Sequence, residues 1–190
     1  MRIIAGEHRG RRLASVGKGD RGAHLRPTAD RVRESLFSAL ISGYDDPVTG
    51  AVVLDLFAGT GALGLEALSR GASHVTFVEN GRAGQGLITE NIALLKAQTV
   101  TRLVRRDARR LGRHDGKPAD LVFLDPPYGK SLGEEALAAA LAGGWVASGA
   151  LLVWEDSAEI TPPSDTHVLD KRRYGETVIT ILRAGPHQES

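Results

Sequence analysis

The residues with chemistry to offer gather in two short stretches. The first is Asp55-Leu56-Phe57-Ala58-Gly59-Thr60-Gly61-Ala62-Leu63-Gly64. Gly59-x-Gly61-x-x-Gly64 has the spacing of a strand-to-helix turn, where absent side chains let the backbone approach a nucleotide and let the helix pack on its strand. Asp55 sharpens this reading. A phosphate loop gains nothing from an anion at the end of its strand, whereas a ligand carrying an ammonium group, such as S-adenosyl-L-methionine, does. The plainer alternative makes Asp55 a helix cap and the glycines a tight turn. The second stretch is Asp125-Pro126-Pro127-Tyr128. Two consecutive prolines fix the backbone and donate no N–H, so the turn offers carbonyl oxygens and a carboxylate, all acceptors. A planar exocyclic amine needs such acceptors to aim its nitrogen, and Tyr128 can stack on a base drawn out of its helix.

Two further carboxylates stand at comparable places. Glu79 closes the run Val75-Thr76-Phe77-Val78 and can accept hydrogen bonds from both hydroxyls of a ribose. Asp107 follows the next β-rich run; it can accept from an adenine exocyclic amine or simply cap the turn at Ala108.

The elements that must carry these residues follow from hydrophobic patterning. Val32, Leu36, Phe37 and Leu40 recur at helical spacing and predict a helix over Thr28–Leu40, with Arg26-Pro27-Thr28 as its boundary and capping hydroxyl. Ala51–Phe57 reads as a strand buried on both faces. Helices are then expected at Ala62–Arg70, Ala83–Lys96 and Leu132–Leu141, and strands at Val75–Glu79, Thr101–Arg105, Leu121–Leu124 and Ala150–Trp154. Alternating strands and helices mean a doubly wound, Rossmann-like α/β sheet, seven-stranded and mostly parallel. Thr166–Leu169 and Thr177–Leu182 are joined by too few residues for a crossover helix and predict an antiparallel C-terminal hairpin. Before the first helix, Ile3-Ile4-Ala5 and Leu13-Ala14-Ser15-Val16 punctuate a Gly/Arg-rich stretch that reads as a small β arm or loose hairpin. The expected division is a basic arm over 1–27, a catalytic body over 28–185 and a flexible tail over 186–190.

With 190 residues, 42% hydrophobic and 25% charged, the chain has the composition of one globular domain able to bury a full core. It contains no cysteine, which excludes disulfides and thiol chemistry. With no signal-like or membrane-spanning run, a cytoplasmic protein is expected. Its six histidines show no ligand spacing, so no metal is expected. Trp145 and Trp154 read as packing residues. Net charge is +1, but between Met1 and Arg33 nine basic residues face three acidic ones. Such an arm is an electrostatic footprint for nucleic acid, or else an arginine-rich solvated terminus.

The glycine loop and the Asp-Pro-Pro-Tyr turn resemble the motifs of class I S-adenosylmethionine-dependent methyltransferases. Arg2-Ile3-Ile4-Ala5-Gly6, Arg9-Gly10-Arg11-Arg12-Leu13 and Arg26-Pro27-Thr28-x-x-Arg31-Val32-Arg33-Glu34-x-Leu36-Phe37 narrow the likeness. They resemble the N-terminal signature of the RsmD-type 16S ribosomal RNA guanine-N2 methyltransferases. With Val78-Glu79 and Tyr174-Gly175 the likeness spans nearly the whole chain. It implies S-adenosyl-L-methionine as cofactor, held by Asp55, Phe57, Gly59, Gly61, Glu79, Asp107 and Ala108. It also implies Asp125, Pro126 and Tyr128 around the target guanine, and Arg9, Arg11, Arg12, Arg26 and Arg31 on RNA. The expected partner is ribosomal RNA within a small-subunit particle, bound by a monomer. One departure is Asn80-Gly81 before Arg82, where the family usually keeps a second acidic residue.

Other substrates suit the same acceptor turn, among them adenine N6 in DNA and a glutamine side-chain amide in a protein. DNA is disfavoured because the chain has no room for a separate target-recognition domain. A non-catalytic nucleotide-binding module would have no reason to keep Asp-Pro-Pro-Tyr, and a nicotinamide dehydrogenase would need a proton relay that is not found.

Overall fold

A computed structural model of the chain describes residues 1–15, 29–127 and 132–186. In chain order the elements are α1 (Asp30–Gly43), β1 (Val52–Leu56), α2 (Ala62–Ser69), β2 (His74–Val78), α3 (Arg82–Leu94) and β3 (Thr101–Val104). They continue with β4 (Ala119–Leu124), α4 (Leu132–Ala142), β5 (Val146–Asp156), β6 (Thr166–Tyr174) and β7 (Thr177–Ala184). The seven strands form one sheet in the order β3-β2-β1-β4-β5-β7-β6. The first five run parallel, and β7 and β6 close the sheet antiparallel, as expected.

Strand alternation divides the core into two layers. Val53, Val75, Phe77, Leu121, Phe123, Leu151, Val153, Ile179 and Ile181 point to the face covered by α1, α2 and α3. Leu54, Leu56, Val78, Val122, Leu124, Leu152, Trp154 and Leu182 point to the other, where Leu137 and Ala140 of α4 pack with Trp145. Both tryptophans are buried, and the Trp145 indole N–H donates to the Gly112 carbonyl at 2.8 Å. On α1 the stripe Leu36, Phe37 and Leu40 meets the sheet, with the Phe37 ring 5.7 Å from that of Phe123.

Three local expectations are corrected. The N-cap of α1 is Ala29, which makes no side-chain cap, and the proposed cap Thr28 lies outside the described residues. Strand β5 starts at Val146 rather than Ala150, because Gly149 at φ +76° and a register shift between Ala119 and Leu121 let the chain pair early. Strand β6 runs on to Tyr174 through Asp170, Lys171, Arg172 and Arg173, charges suited to an exposed sheet edge.

The N-terminal stretch is docked rather than loose. A bridge between Arg2 and Arg12 closes a hairpin that buries Ile3 and Leu13 in the α-helical layer. Its backbone is held by side chains 60 or more residues away. The buried Glu66 of α2 accepts from the N–H groups of Ile4 and Ala5 at 2.8 and 3.1 Å, and Ser69 Oγ donates to the Ala5 carbonyl at 2.6 Å. Gly6, at φ +82°, lies so close to α2 that a Cβ there would fall 1.7 Å from the Ser69 carbonyl oxygen. At the far end, Asn91 of α3 pairs with both backbone groups of Ala14 and also donates to the Thr60 carbonyl, tying the hairpin to the glycine loop.

Candidate functional site

Register sets the acceptor residues side by side. Leu56 pairs with Val78 and with Leu124, and Leu124 with Trp154, so Phe57, Glu79, Asp125 and Glu155 follow at one level on four neighbouring strands. Open α/β sheets bind ligands at this carboxyl end.

Asp55 is buried, and one of its oxygens accepts the Gly64 N–H at 3.0 Å. Gly64 can carry no side chain, because a Cβ would meet the Phe77 ring at 2.5 Å and Val75 at 2.7 Å. The loop between them turns through Phe57, Gly59 and Gly61, all in the left-handed region at φ +60°, +56° and +78°. Phe57 holds this conformation despite its side chain, a local strain of about 1–3 kcal/mol of the kind found at ligand clamps. Burial pushes the Asp55 carboxyl up to about 8; the Gly64 N–H opposes this and the neighbouring Glu79 adds to it. Its polar neighbours include the Gly64 N–H and the carboxylates Glu79 and Asp125, surroundings suited to a cationic ligand.

Glu79 closes the loop from the other side. Its two oxygens accept the N–H groups of Gly59 at 2.8 Å and Gly81 at 2.6 Å. At the Asn80-Gly81 departure, Gly81 stands at the N-cap position of α3 and its backbone N–H steadies Glu79, a bond that does not depend on the side chain there. Close packing continues at Gly84, where a Cβ would lie 2.8 Å from the Gly59 carbonyl oxygen.

Asp107 caps the short 3-10 turn Ala108–Arg110, accepting from the Arg109 N–H at 2.9 Å, and it also pairs with the Arg109 guanidinium at 2.7 Å. That hydrogen bond holds its carboxyl below the usual range. The capping role among its sequence readings is thus present, and Ala108 beside it is buried.

Asp125 continues the β4 ladder, its N–H 3.5 Å from the Leu56 carbonyl. Burial, reinforced by Glu155, Asp55 and Asp156, pushes its carboxyl well above the ordinary range. Pro126 is buried behind it, while Tyr128 lies outside the described residues. Sequence reasoning missed Glu155. The visible signal was Trp154-Glu155-Asp156, a carboxylate pair ending an apolar run.

Four of the five arginines expected on RNA can be placed, and all four are exposed. Arg9, Arg11 and Arg12 are exposed on the hairpin, Arg31 is exposed on α1, and Arg26 lies outside the described residues. A cavity of about 280 Å³ lies elsewhere, between β3 and the loop 111–116. Lined by Arg102, Arg106, Arg113, His114 and the single carboxylate Asp115, it is predominantly cationic, unlike the acidic strand ends. Among the described residues no group of three or more His, Asp or Glu could hold a metal, and no helix is long and apolar enough to cross a membrane.

Asp55 makes a testable pH prediction. A carboxyl whose folded-state pKa is raised contributes stability fully below its unfolded value near 3.9 and loses it as pH rises through about 8. Over that window wild-type stability falls by up to about 1.4 kcal/mol per pH unit relative to Asp55→Asn, and the gap levels off at higher pH. Thermal melts of both proteins from pH 4 to 9 check this; parallel curves would place the charge elsewhere.

A parallel α/β sheet with an antiparallel end, acceptors ranked along its strand tips and a glycine loop at its centre is the architecture of the Rossmann-like methyltransferases. A family model described as Conserved hypothetical protein 95 matches residues 1–183. The ribosomal RNA small subunit methyltransferase D of Escherichia coli is 42% identical over 159 residues, covering 84% of this chain and 76% of that protein. Its namesake in Haemophilus influenzae is 36% identical over 177 residues, covering 90% and 88%. The solved structure of the yhhF protein of Escherichia coli superposes with a TM-score of 0.83 at 37% identity, covering 98% of this chain and 99% of that one. The chain belongs to the RsmD-type methyltransferase family.

Proposed function

We propose that this enzyme transfers the methyl group of S-adenosyl-L-methionine to the exocyclic N2 amine of a guanine in small-subunit (16S) ribosomal RNA. The observation that carries this reading is the adjacency of two acceptor sets: Asp55 and Glu79 around the glycine loop, and the Asp125-Pro126-Pro127 turn on the neighbouring strand. The relatives named for small-subunit ribosomal RNA supply the substrate class.

S-adenosyl-L-methionine, when bound, supplies an electrophilic sulfonium methyl. In this reading Asp55 would face its ammonium group, Glu79 would take the ribose hydroxyls, and Phe57, Gly59 and Gly61 would shape the loop against it. Asp107 and Ala108 border the adenine. Asp125 and the carbonyl of the proline turn accept the N–H groups of the target amine, so the nitrogen lone pair points at the methyl. As nitrogen gains its fourth bond it becomes acidic, and the proton leaves to Asp125 or to water; no strong base is needed. Pro126 fixes the turn, and Tyr128 stacks on the base. Residues 1–27 act as the RNA-binding element on the body 28–185, with Arg9, Arg11, Arg12, Arg26 and Arg31 directed to phosphates.

Incubation with methyl-labelled S-adenosyl-L-methionine and, separately, small ribosomal subunits, naked RNA, DNA and a protein extract tests the reading. Label is expected in N2-methylguanine of small-subunit RNA; label confined to DNA or protein would overturn it. Glu79→Ala is expected to raise the dissociation constant for S-adenosyl-L-methionine about tenfold or more, through lost charge-assisted bonds and a slackened Gly59. Isothermal titration measures it, and unchanged affinity would move the ribose partner elsewhere.

A further inference from the structure

The Asp-Pro-Pro turn accepts hydrogen bonds from an amine without distinguishing the ring that bears it. Guanine and adenine differ in the neighbouring atom. Beside its N2 amine guanine has N1–H, a second donor; beside its N6 amine adenine has a bare N1, an acceptor. A site that chooses guanine therefore needs a second acceptor next to the one that receives the amine.

Glu155 stands there. Phe123 pairs with Val153, so Asp125 and Glu155, each two residues further on, are level on adjacent parallel strands. Phe123 and Val153 both point into the α1–α3 layer, and alternation carries Asp125 and Glu155 to that same side. Glu155 also pairs with Ile179, whose side chain lies in that layer. Glu155 is buried, and its charge acts on the Asp125 carboxyl. The other carboxylates at this end are engaged differently: Asp55 accepts from Gly64, and Asp156, on the opposite face by alternation, accepts the Ser157 N–H at 2.6 Å.

We propose that Glu155 is a specificity-determining residue, whose carboxylate accepts the N1–H of the guanine while Asp125 receives the N2 amine. The inference rests on the functional reading above and deepens it. An adenine would set its N1 lone pair against the Glu155 carboxylate, so the same turn that serves amines in general serves guanine here. A carboxylate has room for about four hydrogen bonds, so Glu155 can keep a protein partner while it accepts from the base.

The test uses 2-aminopurine, which keeps the N2 amine of guanine but carries a bare N1. Small-subunit RNA is prepared with guanosine or 2-aminopurine riboside at the nucleotide that the wild-type enzyme methylates. Methylation of both RNAs is followed with the full-length wild-type protein and with Glu155→Gln. Wild type is expected to prefer guanosine by about a hundredfold or more in kcat/KM. In Glu155→Gln the preference is expected to shrink to about tenfold or less, because an amide can accept from N1–H or donate to a bare N1. Comparing the two preferences cancels the intrinsic difference in reactivity between the bases, and a purely structural role for Glu155 would leave the preference unchanged. Cofactor affinity and melting temperature, expected near wild-type values, check folding. Should Glu155→Gln not fold, Glu155→Asp, which keeps the charge, is expected to retain the guanosine preference at lower kcat/KM. An undiminished preference in Glu155→Gln, its loss in Glu155→Asp, or a wild type indifferent to the two bases would overturn the inference. No guanine methylation by wild type at all would overturn the functional reading, and the inference with it.

Discussion

Asp125→Ala is expected to slow methyl transfer by about a hundredfold or more while leaving the affinity for S-adenosyl-L-methionine near its wild-type value. The amine loses the acceptor that aims its lone pair, and no remaining group at the end of β4 replaces it. Asp125→Asn separates positioning from charge, because the amide oxygen still accepts one N–H but no longer titrates. Burial and the carboxylates Glu155, Asp55 and Asp156 hold the Asp125 carboxyl well above the ordinary range. A protonated Asp125 cannot offer both oxygens as acceptors, so the wild-type rate should climb with pH across that raised range. The limb should be missing from the profile of Asp125→Asn. Single-turnover rates from pH 5 to 9, with cofactor binding measured in parallel, decide it. A wild-type rate in Asp125→Ala would remove the turn from the mechanism.

The second large effect is on stability. Glu66→Ala is expected to lower stability by about 3–5 kcal/mol. Glu66 is fully buried and serves three donors: the N–H groups of Ile4 and Ala5, and Arg70 Nε at 2.8 Å. Alanine leaves a nearly buried guanidinium and two backbone donors without their acceptor. For a chain of this length the melting temperature should fall by about 6–20 °C. Gly6→Ala should act in the same direction, since its Cβ would enter the Ser69 carbonyl and hold a strained φ. Differential scanning calorimetry measures both. A change below about 1 kcal/mol in Glu66→Ala would mean that the hairpin contributes little to the fold. Release of the hairpin also frees Ala14 from Asn91, which holds the Thr60 carbonyl of the glycine loop, so cofactor affinity should fall with it.

Much of the architecture was legible in the chain itself, because its signals are local. The run Ala51–Phe57, apolar but for Asp55 and bounded by turn residues, reads as a buried strand, and Gly59, Gly61 and Gly64 mark a turn that larger residues cannot make. Asp-Pro-Pro announces an acceptor-only edge wherever it lies, since proline carries no N–H. The strand-end positions of Asp55, Glu79 and Asp125 followed from the same patterning. Burial of Arg33, Glu66 and Asn91 could not be read, because residues of these types on helices are usually solvated, and the hairpin backbone groups they hold lie far away in sequence. Ile4 and Glu66 are 62 residues apart, Ala14 and Asn91 77. The docked hairpin, the neighbourhood of Glu155 and Asp125, and the raised carboxyls of Asp55 and Asp125 are likewise products of assembly. Pattern determines which elements form and which residues their ends carry. Register and desolvation arise only when separate elements pack, and they decided which carboxylates face one another and how strongly each holds its proton.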